Sequence, residues 1–167
     1  MDLAWDLLVQ ARHLAELDPS KPRQANLRRA VSSAYYALFH LLIAEFVHKG
    51  LPGHQKALMD RVSRSFNHSD MLKVCRQWQQ PVLPQVIQNL LVVPADARLT
   101  SIARTFVDLQ EARHEADYDV SVRLSKSETL ARVEEVELPF AKWKAVRNST
   151  QAVTFLVSLA FGARWNR

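Results

Sequence analysis

Within the stretch Leu109-Gln110-Glu111-Ala112-Arg113-His114-Glu115-Ala116-Asp117-Tyr118-Asp119, one residue type breaks the local pattern. Leu99, Ile102, Phe106 and Leu109 recur at steps of three and four, the mark of one buried helical face, and the next position on that seam is Arg113. A guanidinium where the pattern asks for an aliphatic side chain must find carboxylates or a bound anion, because a buried charge left alone is costly. Two chemistries follow. Arg113 can close a structural ion pair with Glu111, Glu115, Asp117 or Asp119, helped by the negative end of its own helix. Alternatively it can hold an anion such as phosphate, whose oxygens match its rigid fork of donors.

A second polar set lies far upstream. Arg29, Ser33, Tyr36 and His40 follow one another at steps of four, three and four, beside a core stripe of Leu27, Val31, Ala34, Leu38 and Leu41. Such a stripe faces either water or a site. Tyr36, His40, Arg113, His114 and Asp117 could share one pocket if the two helices pack side by side, with Tyr118 at its margin. Tyr35 and Tyr36 also have a plain role as large rings filling a helix interface. Cations interleaved with aromatics recur in Lys142-Trp143-Lys144 and Arg164-Trp165-Asn166-Arg167, and Arg23, Arg28 and Arg29 cluster near the start of the long helix. These groups either track a nucleic-acid backbone or are solvated faces.

Much other chemistry is excluded by composition. No two of the six histidines stand at the i, i+4 spacing of a helical zinc site, and His114 with Asp117 is the nearest approach, so no metal is expected. Cys75 is the only cysteine, which removes internal disulfides and cysteine-cluster metal sites. Three glycines are too few for a Walker or dinucleotide loop, no serine has a nucleophile-elbow context, and no cofactor is expected. The net charge of +5 permits a polyanionic partner. Acidic residues near the N-terminus, where a signal peptide would carry lysines, and the lack of roughly 20 consecutive apolar residues predict a cytoplasmic protein without a membrane segment.

The elements that must position these residues read as helices throughout. Residues 2–17 form an amphipathic helix with a stripe of Leu3, Leu7, Leu8, Ala11, Leu14 and Ala15, and the next helix runs from Pro22 to Gly50 without a breaker. Residues 54–65 and 70–80 read as two shorter helices with a cap among Asn67, His68 and Ser69, whereas 85–93 fits helix or strand. Asp96 can cap the helix carrying Arg113, which should fray near Asp117 and leave Asp117 to Val120 extended. Ser125 and Glu128 have the spacing of a capping box, and Pro139 should kink or break the helix that follows. The last helix is apolar almost all round, which suits a core position or a second subunit. No linker or repeat appears, so residues 1–167 read as a single domain of the all-α class, an antiparallel up-and-down helical bundle.

Two of these stretches resemble small prokaryotic HEPN proteins. Arg28-Arg29-Ala30-Val31-Ser32-Ser33-Ala34-Tyr35-Tyr36-Ala37-Leu38-Phe39-His40 looks like their second helix, and Arg113-His114-Glu115-Ala116-Asp117-Tyr118-Asp119 looks like their Arg-x-x-Ala-Asp-Tyr segment. The resemblance implies a HEPN-like bundle, usually a homodimer, with an arginine near the dimer cleft. It also implies one of several activities: binding of RNA or a nucleotide, pairing with a nucleotidyltransferase-type protein as toxin and antitoxin or in defence, or metal-independent endoribonuclease activity. Family nucleases carry an arginine, a polar residue and then a histidine after four to six intervening positions. Arg113 matches the arginine and His114 the polar residue, but Tyr118, Asp119 and Val120 stand where that histidine would be. The first expectation is therefore a binding module, with the endoribonuclease as the alternative and with His114, Asp117, Tyr118 or His40 in place of the missing histidine.

Overall fold

A computed structural model describes residues 3–91 and 93–165. All regular structure among them is helical: α1 (Leu3–Glu16), α2 (Gln24–Gly50), α3 (Lys56–Arg64), α4 (His68–Trp78), α5 (Gln85–Leu90), α6 (Ala97–Tyr118), α7 (Lys126–Val146), α8 (Thr150–Phe161) and a final 3₁₀ turn (Gly162–Arg164). The segment that fitted helix or strand is therefore helix, as α5. Contacts group the chain into two compact units, Met1–Leu41 with Thr105–Ala141 and Leu42–Arg104 with Lys142–Arg167, so α2, α6 and α7 each contribute to both.

In the first unit, Ala4, Leu8, Ala11 and Ala15 of α1 are buried, along with Leu27, Val31, Ala34 and Leu38 of α2 and Phe106, Leu109, Ala112 and Ala116 of α6. Of the expected α1 stripe, Leu8, Ala11 and Ala15 are buried and Leu7 and Leu14 half-buried; only Leu3 is exposed, and the small Ala4 takes the inward position at that end. Partners run in opposite order along α2 and α6: Arg28 meets the carbonyl of Ala116, whereas Tyr35 meets Phe106. These helices are antiparallel. The same holds for α1 and α7, where Trp5 lies against Phe140 and Arg12 pairs with Glu137 and Glu134.

The helix starts follow the local chemistry of the sequence. Asp96 accepts the N–H of Arg98 at 2.8 Å and opens α6. Ser125 and Glu128 form the full reciprocal box at the start of α7, with Ser125 N–H donating to the Glu128 carboxylate at 3.0 Å and Glu128 N–H donating to Ser125 Oγ at 3.2 Å. Asn67 proves to be the cap of α4, accepting the N–H of Asp70. Pro139 does not break α7. The carbonyl it frees belongs to exposed Glu135, which water can satisfy, while the proline ring itself is buried.

In the second unit, Trp78 of α4 and Trp143 of α7 flank Phe155 of α8, with ring centroids 5.0 and 6.5 Å away. Ala152, Phe155, Leu156 and Leu159 are buried, so most of the apolar surface of α8 is spent here and Val153 and Phe161 remain exposed. By length and composition α2 would pass as a membrane-crossing helix, but 72% of its most apolar window is buried. A core helix meets the same criteria.

Candidate functional site

The site lies wholly in the first unit and is built where α2 runs past the last turns of α6. Both helices are held by burial of their apolar stripes, which leaves Arg113 at the edge of the core with a side chain 16% exposed. Its Nε donates to Asp117 at 2.9 Å, one helical turn further on. The other carboxylate oxygen of Asp117 accepts from Ser32 Oγ at 2.5 Å, and Ser32 is itself buried on α2. The guanidinium carbon lies 5.6 Å from the centre of the Tyr35 ring and 5.3 Å from that of Tyr36, within the range of cation–π attraction. The two terminal nitrogens of Arg113 make no hydrogen bond to any described residue. Asp117 and the tyrosines therefore fix the plane of the guanidinium while leaving its outer donors for another group.

The tyrosines extend the arrangement along α2. The Tyr35 and Tyr36 rings meet edge-on at 5.3 Å, and His40 stacks on Tyr36 with centroids 6.2 Å apart and planes 28° apart. Tyr35 is fully buried, whereas Tyr36 and His40 are half-buried. On α6, the Oε1 of Gln110 is buried without a hydrogen-bond partner, one turn before Arg113. A buried acceptor left unpaired costs free energy.

Of the residues singled out from the sequence, Arg113, Asp117, Tyr36 and His40 are joined by these contacts. His114 and Tyr118 form a separate pair, with rings 5.0 Å apart, and no hydrogen bond or ring contact among the described residues connects either to Arg113. Their side chains are exposed because successive residues on a helix point about 100° apart. Asp117 does not leave the helix as an extended segment, since α6 continues to Tyr118. Arg28 explains that extension. Its guanidinium donates to the carbonyls of Ala116 at 2.6 Å, Asp119 at 3.0 Å and Val122 at 2.6 Å, satisfying acceptors that the end of α6 would otherwise expose.

Arg23 is paired with Asp18, Trp143 is a core side chain, and the amine of Lys142 donates to Ser101 Oγ. Arg29 is exposed, and Asn166 and Arg167 lie outside the described residues. Ser32 and Gln110 were not singled out from the sequence as site residues. Ser32 carried a usable signal, being a small polar residue flanked by the buried positions Val31 and Ala34. No cluster of three metal-ligating side chains occurs among the described residues.

The chain matches no protein-family model, no curated protein and no solved structure.

Proposed function

We propose that this protein is a HEPN-like module that binds RNA or a nucleotide through a phosphate held by Arg113. The observation that carries the reading is the state of the guanidinium: its Nε is taken by Asp117, its face lies against Tyr35 and Tyr36, and its terminal nitrogens are left over as a donor pair. A side chain serving only as an ion pair has no need of two ring faces, whereas an anion site benefits because orientation is settled before the ligand arrives. Tyr36 and His40 supply ring surface beside the phosphate for a base to stack on. A nucleotidyltransferase-type partner and a second copy of the chain belong to the same proposal and rest on the HEPN resemblance.

The endoribonuclease reading draws on one observation, the stacking of His40 on the tyrosine that contacts Arg113. That places an imidazole one ring away from the guanidinium, where it would serve as general acid or base. One experiment separates the readings. Wild type and Arg113→Ala are compared for binding of a short single-stranded RNA and for its cleavage with a chelator present. Binding that weakens about tenfold in the variant, as expected for one lost charge-assisted contact, without cleavage by either protein, supports the module. Chelator-resistant cleavage by the wild type that is lost in Arg113→Ala and in His40→Ala supports the nuclease. A variant unchanged in both assays and altered only in thermal stability makes Arg113 a structural ion pair.

A further inference from the structure

The second unit contains an open cavity of about 910 Å³ that plays no part in the Arg113 site. Its floor is one face of α6, where Ala97, Thr100, Ser101 and Arg104 follow at helical spacing. One wall is the segment between α4 and α5, and the other is the segment leading into α6. Each wall is fixed by a glutamine side chain. Gln88 donates to the carbonyl of Leu83 at 2.5 Å, while Gln151 of α8 donates to the carbonyl of Pro94 at 3.0 Å and accepts the N–H of Asp96 at 2.8 Å. The cavity is therefore a built feature of the unit.

Its lining is divided in character. Pro81, Val82, Leu83, Val93 and Pro94 give apolar walls, and Val82 is 73% exposed. Among the residues that line the cavity there is no carboxylate, and one cation, Arg104, stands on its floor. Arg104 is exposed and makes no hydrogen bond or ion pair with a described residue, and the amine of Lys142 reaches Ser101 Oγ at 2.5 Å. Asp96, between the lining residues Ala95 and Ala97, is engaged with Arg98 through both oxygens, and Asp108, one turn beyond Arg104, does not line the cavity. A positive, hydroxyl-bearing floor beneath apolar walls selects a molecule with the converse division.

We propose that this cavity binds a small amphipathic anion, with a carboxylate or phosphate head on Ser101 and Arg104 and an apolar body between the two walls. Charge complementarity argues for the head, since Arg104 has no acidic partner among the described residues and its fork suits either oxyanion. Mostly apolar concave surface with a few convergent polar groups argues for the body. A neutral hydrocarbon would leave Arg104 unanswered, and a bare inorganic anion would leave the apolar walls in water.

The test is calorimetric titration of the full chain with octanoate and octyl phosphate below their micelle-forming concentrations, against octanol, acetate and inorganic phosphate as controls. The expected result is saturable one-to-one binding of one or both amphipathic anions, with octanol weaker by about tenfold or more and the bare anions weaker still. The preferred head identifies the source, an organic acid or a phosphate ester. Arg104→Glu and Val82→Asp alter exposed side chains, and each should weaken binding by about tenfold or more with unfolding temperature unchanged. Arg113→Ala should leave it untouched. Octanol binding as tightly as octanoate, full affinity in Arg104→Glu, or no saturable binding of either anion overturns the proposal.

Discussion

Truncating Arg28 should loosen the end of α6. Its guanidinium answers three carbonyls near a helix terminus, and a buried hydrogen bond involving a charged group contributes about 1.5–3 kcal/mol net. Partial exposure lets water replace some of that, so Arg28→Ala should cost about 2 kcal/mol in urea unfolding. Arg28→Lys should recover less than half, because an ammonium cannot reproduce a planar fork over three acceptors. Arg113→Ala, by contrast, removes a partly exposed i, i+4 pair and two cation–π contacts, for about 1 kcal/mol of stability. This pair of arginines also marks how far single residues can be read from the sequence. Arg113 was legible because it interrupts a seam of Leu99, Ile102, Phe106 and Leu109 that is fully buried in the structure. Arg28 was not, because its partners are carbonyls 88 to 94 residues away, and backbone acceptors leave no trace in residue identity.

Among the elements, α7 offers the cleanest prediction because its start depends on a local pair. Ser125 and Glu128 satisfy each other's N–H groups, and Ser125→Ala should cost about 1 kcal/mol, the usual effect of losing an N-cap. The hydrogen bond from Ser125 holds the Glu128 carboxyl below its ordinary value of 4.5. A carboxyl lowered by folding adds stability above its unfolded pKa, and that contribution drains away as pH falls through the folded value. The stability difference between wild type and Glu128→Gln should therefore be constant near neutrality and close below about pH 4.5, which chemical unfolding at a series of pH values would follow. Equal differences at pH 7 and at acid pH would remove the box from the account. Caps and stripes of this kind were readable because they depend on residues within one turn. The end of α6 falls at Tyr118, one residue past the position expected to fray, and Arg28 from another helix meets its last carbonyls. The outcome at Pro139 depended on whether the carbonyl of Glu135 is open to water, which sequence does not state.

For the molecule as a whole, the excess of five positive charges bears on association, and its bearing depends on how many copies of Arg113 meet one strand. The expectation of a homodimer drew partly on α8, but the second unit consumes most of that helix and leaves only Val153 and Phe161 exposed among its large apolar side chains. The dimer then rests on the HEPN resemblance and can be tested together with the proposed site. Each phosphate contact to a single strand releases counterions, so the logarithm of affinity falls against the logarithm of salt concentration by about 0.7 per contact. If one chain binds one strand, the slopes of wild type and Arg113→Ala should differ by about 0.7; if a dimer presents both arginines to the same strand, the difference should be about 1.4. Light scattering on the same samples fixes the stoichiometry independently. Parallel slopes for the two proteins would mean that Arg113 touches no phosphate, whatever the absolute affinity, and that the basic surface alone accounts for binding.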